Sequence, residues 1–214
     1  MSKWRVELKI KGQLRWLSHL DTLSLIERAL RRAKLPVTYS QGFNPHMLIS
    51  WGPAHPVGLA GDGEYFDIEL TDNINDFWQK DLNQVLPTGI EIVSVKKIDD
   101  RLPALMSSIN FATYRISYAC FCQKELESGI KEVLSREMIE VTRHSPKGEK
   151  TVNIRPGILD LNCEGSDLFL TSTLNSATSP KPQEVASTIL PEIEPSYICR
   201  SGLYINNGRE FLKP

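Results

Sequence analysis

The chain has 214 residues, 41% hydrophobic and 24% charged, with a formal net charge of −1. That length suits two units of about 100 residues, each able to bury its own core, and the near-zero charge argues against a general, strongly basic nucleic-acid binder. No run of about 18 apolar residues could span a membrane, and the alternating, charged start MSKWRVELKIKG reads as a strand rather than a signal peptide, so a cytoplasmic protein is expected.

Trp4, Val6, Leu8 and Ile10 alternate with Arg5, Glu7 and Lys9, the pattern of a half-buried strand ended by Lys11-Gly12-Gln13. Ser18 and Asp21 stand at capping-box spacing and open a helix expected to reach about Ala33. Leu23, Ile26, Leu30 and Ala33 share one face of it; Arg28, Arg31 and Arg32 lie on the other side, and Pro36 stops it. Strands are expected at 37–39 and 47–51. Between them lies Ser40-Gln41-Gly42-Phe43-Asn44-Pro45-His46, longer than a tight hairpin turn and richer in groups that can bind something. It can be read as a long hairpin loop, with Gly42 and Asn44-Pro45 supplying turn geometry, or as a binding or catalytic loop.

A turn-rich segment, 52–58, leads to an alternating strand at 64–70. A helix is expected at 74–86 and a strand at 90–98. The order repeats in the second half. Strands are expected at 111–122, 138–143, 151–163 (interrupted by Pro156-Gly157), 168–174 and 197–205, with helices at 124–134 and 183–190. A turn is read at 145–148, a polar stretch at 175–182 and a loose tail after Asn206. The expected class is α+β: two ferredoxin-like α/β sandwich subdomains in tandem with antiparallel sheets, spanning 1–104 and 105–214. The repetition is of element order, not of residues.

Charge is unevenly placed. Residues 1–50 carry nine basic and three acidic groups, and residues 51–100 carry three basic and ten acidic groups. This fits either an anion-binding face or pairing between neighbouring elements. Arg28, Arg31 and Arg32, with Lys11 and Arg15, could grip phosphates; equally, the arginines could pair with the acidic segment 62–76. Tyr39, Phe43 and Trp51 could stack on bases.

His19 sits at a helix N-terminus, where it could donate to a phosphate or move a proton, or simply decorate the cap. With His46 and Asp21 it is a candidate for acid–base catalysis. His46 and His55 lie beside prolines, and the spacing of the histidines does not suggest a metal site. Cys120 and Cys122 are expected on one face of a strand, and all four cysteines read as reduced and structural. A CxxxCxxC cluster motif, a phosphate-binding glycine loop and a nucleophile elbow are all absent from the sequence.

Several motifs together resemble one family. They are Lys11-Gly12 with 14–21 (LRWLSHLD), 27–33 (ERALRRA), Leu35-Pro36, 39–46 (YSQGFNPH), Gly52-Pro53-Ala54, Pro56-Val57-Gly58 and Glu64-Tyr65-Phe66-Asp67. The resemblance is to the radical SAM-linked bacterial protein family, a domain of unknown function. It is dense over the first 70 residues or so and loose beyond, where Ile154-Arg155-Pro156 and Arg200 fit best. Met47 after His46, and Trp51 after Ser50, depart from the family's usual pattern without removing a polar group.

The family occurs fused to, or encoded beside, cobalamin-type radical SAM proteins, near genes for a ribosome-linked endoribonuclease and for ribosomal proteins. The resemblance therefore implies a radical SAM partner and an RNA-related setting. S-adenosylmethionine, an iron–sulfur cluster and cobalamin would belong to the partner, with no cofactor in this chain. The expected role is an accessory module that presents RNA or an RNA-associated substrate. Its binding residues would be Lys11, Arg15, His19, Arg28, Arg31, Arg32, Tyr39, Ser40, Gln41, Phe43, Asn44, His46, Glu64 and Asp67. The alternatives are an RNA-processing or RNA-modifying enzyme using His19 and His46, and a protein–protein scaffold.

Overall fold

A computed structural model describes residues 1–71, 74, 77–120, 122–146, 148–174, 176–206 and 210–214. The chain divides into two compact units, Met1–Ile109 and Asn110–Lys213. The class is mixed α+β, and every strand pairing described below is antiparallel.

The first unit runs β1 (Ser2–Ile10), a 3-10 turn (Gly12–Trp16), α1 (His19–Arg32), β2 (Ile49–Trp51), β3 (Ala60–Leu70), α2 (Trp78–Val85), β4 (Ile90–Ile98) and a short α3 (Leu105–Ser108). Its strands lie in the order β4-β1-β3-β2. Alternation decides which side is buried: Val6, Leu8 and Ile10 of β1 and Phe66, Ile68 and Leu70 of β3 turn toward Ile26, Leu30, Trp78 and Leu82 of the helices. Each such side chain contributes about 1.5–3 kcal/mol when fully buried. Lys3, Arg5, Tyr65, Asp67 and Glu69, at the intervening positions, line the opposite face of this sheet.

The local signals of α1 are realised with one change. The Ser18 Oγ accepts from the Asp21 backbone N–H at 3.1 Å, as a cap should. The Asp21 carboxylate, expected to reach back to the backbone, instead accepts the Ser18 hydroxyl at 2.7 Å. The far end closes before Pro36: Lys34 adopts a left-handed φ of 54°, Lys34 N–H donates to Arg31 O and Leu35 N–H to Leu30 O. That pair of bonds satisfies the last carbonyls of the helix.

The 37–39 strand does not form as an element. Val37 bridges to Leu70 and Tyr39 to Met47, so the segment touches two different neighbours one residue at a time. The second helix starts at Trp78 rather than at 74; residues 75 and 76 of that expectation lie outside the described residues. The 105–109 segment goes with the first unit because Leu105 and Ile109 are buried there, both within van der Waals reach of a side chain at Gly52.

The second unit runs β5 (Phe111–Ser117), α4 (Gln123–Ser135), β6 (Glu140–Ser145), β7 (Gly148–Asn153), a 3-10 turn (Arg155–Gly157), β8 (Ile158–Glu164), β9 (Asp167–Thr173), α5 (Pro182–Ile189), β10 (Tyr197–Asn206) and β11 (Phe211–Leu212). Its strands lie in the order β10-β5-β9-β8, with β6 and β7 forming a separate hairpin. With that hairpin and the two-residue β11 set aside, both units share one pattern: last strand, first, third, second. Gly129 of α4 is required where α5 crosses it, since a Cβ there would sit 2.6 Å from Ile189 O.

Two expectations are corrected here. β5 ends at Ser117, so Cys120 and Cys122 do not share a strand face: Cys120 is exposed and Cys122 is buried at the start of α4. The expected loose tail carries β11, which pairs with β10 and sets Phe211 edge-on to Phe111, ring centres 5.0 Å apart. Phe121, Lys147, Asn175 and residues 207–209 of the expected strand, turn, polar stretch and tail lie outside the described residues.

Candidate binding site

The 40–46 loop is closed at its base by its own ends. Ser40 N–H donates to His46 O at 2.8 Å, and His46 N–H donates to Ser40 Oγ at 3.1 Å. The same hydroxyl lies 2.8 Å from His46 Nδ1. Either partner of that contact can be the donor, according to the imidazole tautomer. Below the loop, Leu48 N–H donates to Thr38 O at 2.9 Å. Gly42 has φ +142°, a conformation that side-chain-bearing residues rarely adopt.

This frame holds Phe43 entirely in solvent, at 105% relative exposure, with Tyr39 at the loop base 40% exposed. Gln41 and Asn44 are exposed beside them. The Phe43 ring thus adds nothing to the core of the free chain.

Beside the loop is a cavity of about 180 Å³ lined by Lys3, His46, Ser50, Asp67, Glu69 and the 47–49 segment. Its floor is the polar sheet face: Ser50 stands opposite Asp67, and Arg5 opposite Asp67 on the other side. Asp67 is 1% exposed and held by Arg5 at 2.7 and 2.9 Å, with Lys3 Nζ 3.9 Å away. Glu69 is half-buried, and none of the described residues donates to its carboxylate.

The other sequence candidates are scattered. His19 is the first residue of α1, and its ring meets Trp51 edge-on at 5.9 Å; Trp51 in turn packs on Phe66 at 4.7 Å. Trp51 belongs to the helix side of the sheet, whereas Ser50 and Asp67 line the opposite face with His46. His19 and His46 are therefore not brought together. Asp21 stays with Ser18 at the cap.

The basic candidates fall into two groups. Lys11 pairs with Asp62 at 2.9 Å, and Arg15 lies over the Trp16 ring at 5.3 Å, both before α1. Arg31 and Arg32 are in the last turn of α1, about 20 Å away along the axis. Arg31 pairs with Glu27 at 3.5 Å, and Arg28 and Arg32 are exposed. Within the acidic segment expected to neutralise these arginines, Asp62 takes Lys11, Asp67 takes Arg5 and Glu64 lies against His55, Glu69 lines the cavity, and Asp72 and Asp76 lie outside the described residues.

Glu64, a sequence candidate for binding, is 4% exposed and faces inward. His55 is 6% exposed; its Nε2 lies 2.8 Å from Leu59 O and its Nδ1 3.2 Å from Glu64 Oε1. A carbonyl only accepts, so Nε2 carries a proton and donates it to Leu59 O, while Nδ1 faces the Glu64 carboxylate. This pair braces the segment between β2 and β3.

Sequence reasoning did not single out Lys3, Arg5, Ser50 or Glu69. The alternation of β1 and β3 places Lys3, Arg5, Asp67 and Glu69 on the polar faces of their strands; only the register sets Arg5 against Asp67.

In the second unit Arg200 is buried, at 1% exposure, and Arg143 and Arg155 have structural partners. Arg143 donates to Glu184 at 2.8 and 2.7 Å and to Ser179 O at 2.7 Å. Arg155 donates to the carbonyls of Leu134, Arg136 and Ile158. Burial, with nearby Cys122 and Glu194, pushes the Tyr118 hydroxyl up to about 12. Burial likewise raises the thiols of Cys122 and Cys163. Among the described residues no three His, Cys, Asp or Glu side chains gather so as to hold a metal ion, and no helix is long and apolar enough to cross a membrane.

A family model described as "Uncharacterized protein conserved in bacteria (DUF2344)" matches residues 3–184. No curated protein matches the chain.

Proposed function

We propose that this chain, which belongs to the bacterial family DUF2344 of uncharacterized proteins, is an accessory binding module that presents RNA, or an RNA-associated substrate, to a separate radical SAM enzyme. The observation that carries the binding role is the 40–46 loop, closed at its base by Ser40 and His46 and holding Phe43 bare at its tip. An exposed aromatic ring can stack on any base, which is how single-stranded RNA is gripped without a large positive field. The exposed arginines of α1 add attraction for phosphate. The radical SAM partner follows from the sequence resemblance, as do the assignment of its cofactors to that partner and the RNA setting. Cytoplasmic residence is part of the same reading.

The shared strand order, last-first-third-second with two helices between, supports taking each unit as a ferredoxin-like sandwich. The catalytic alternative built on His19 and His46 gains nothing from a geometry that sets them on opposite sides of one sheet.

Affinity purification from the native cells, with bound proteins and RNA both identified, tests the reading. A radical SAM enzyme recovered together with a defined RNA is the expected result. The enzyme without RNA would replace this reading with a scaffold, and the absence of both would overturn it.

A further inference from the structure

We infer that the cavity beside the 40–46 loop is a subsite for a single guanine base. At about 180 Å³ it falls below the roughly 300–1,000 Å³ of drug-sized ligand sites and suits one ring system rather than a whole cofactor. Its lining combines the polar side chains of Lys3, His46, Ser50, Asp67 and Glu69 with the apolar 47–49 segment, and with Arg5 paired to Asp67 its charges nearly balance. Lys3 donates, Glu69 and Asp67 accept, and Ser50 and the His46 imidazole can do either. Asp67 is already committed to Arg5, so the acceptor left for a ligand is the Glu69 carboxylate.

Lys3 and Arg5 are matched by Asp67 and Glu69, so the wall offers no net positive charge to hold a phosphate, which turns the search to neutral ligands with donors. A carboxylate with two acceptor oxygens is best matched by two adjacent N–H groups. Among the RNA bases only guanine has them, as N1–H and the N2 amino group, with O6 beside them as an acceptor for Lys3 or His46. Adenine and cytosine offer one amino group next to a bare ring nitrogen, and uracil one N–H between two carbonyls. The nearby Phe43 and Tyr39 can cover neighbouring bases.

This inference rests on the RNA-binding reading but is tested apart from it. The full chain is titrated by calorimetry with guanosine, adenosine, cytidine and uridine, and with a single-stranded oligoribonucleotide with or without one guanine. Guanosine is expected to bind about tenfold or more tighter than adenosine. The Glu69→Gln variant, whose amide retains one acceptor oxygen, is expected to lose that preference while keeping the wild-type circular dichroism and melting curve. Lys3→Met, removing a donor to O6, should weaken guanosine without creating a preference for adenosine.

Equal binding of guanosine and adenosine overturns the subsite, as does a preference that survives Glu69→Gln. Oligoribonucleotide binding with no guanine preference overturns the subsite and leaves the docking reading standing. Guanosine binding without any oligoribonucleotide binding does the reverse, and no binding of either probe overturns both.

Discussion

Arg5 grips Asp67 with two prongs, Nε to Oδ1 at 2.7 Å and Nη2 to Oδ2 at 2.9 Å, and the two side chains are only 9% and 1% exposed. Strand register makes this pairing, since the two residues stand directly opposite each other on β1 and β3. Removing one partner leaves a buried charge uncompensated, which costs about 3–5 kcal/mol. Asp67→Ala should therefore lower the stability of the first unit by that amount in denaturant unfolding. Arg5→Met combined with Asp67→Leu should recover most of it. An Asp67→Ala variant as stable as the wild type would show that the pair is not a structural element.

His55 and Glu64 give a second, smaller effect. Glu64→Ala removes the carboxylate that lies 3.2 Å from the buried His55 Nδ1 and should lower stability by about 1–3 kcal/mol. Amide hydrogen exchange should quicken in the 52–60 segment in particular, because His55 Nε2 ties that segment to Leu59. Glu64→Gln, which keeps a hydrogen-bonding group in place, should lose less.

The link between β6 and α5 should respond to acid. Burial alone would raise the Glu184 carboxyl, but the Arg143 guanidinium and the Lys181 backbone N–H outweigh it and hold the group below its ordinary value of 4.5. The folded form keeps this charge where the unfolded chain has already bound a proton. The stabilisation is thus complete above about 4.5 and fades as pH falls through the lower folded value. Exchange protection of the β6–β7 hairpin should drop as pH falls below about 4.5, and Glu184→Gln should remove that pH dependence.

Phe43 separates binding from folding. Its ring buries nothing in the free chain, so Phe43→Ala should leave the melting temperature unchanged. If the loop stacks on RNA, the same variant should weaken oligoribonucleotide binding by about 1–3 kcal/mol. Arg28→Ala with Arg31→Ala should instead flatten the dependence of affinity on salt, by about one unit of slope for each phosphate that is no longer neutralised. Binding insensitive to all three changes would place the RNA surface elsewhere on the chain.

The cysteines should differ sharply in reactivity. Cys120 is exposed, whereas burial raises the thiols of Cys122 and Cys163, and Cys199 is buried. A thiol reagent at pH 8 should modify Cys120 quickly, the half-buried Cys163 more slowly and Cys122 and Cys199 only on unfolding, and Cys120→Ser should abolish the fast phase.

Much of the architecture is local and so was readable from the sequence alone. The alternation of Trp4, Val6, Leu8 and Ile10 states which side of β1 is buried, Ser18 marks the start of α1, and the stretch 40–46 stands out by composition. These are signals of period two, period 3.6 and turn chemistry, each contained within about ten residues. What the tertiary structure decided is which of those residues meet. Asp67 and Glu64 look alike as acidic residues on one strand. Register sends Asp67 to Arg5 and the floor of a cavity, while the 52–60 segment brings His55 onto Glu64. His19 and His46, both attractive as chemistry, are parted because Trp51 and Ser50 are neighbours on one short strand, and neighbours on a strand face opposite ways. The tail after Asn206 carried no periodic signal, yet β11 closes against β10 because Phe211 finds Phe111 and Tyr204, two rings brought to it by the pairing of β10 with β5 and β11.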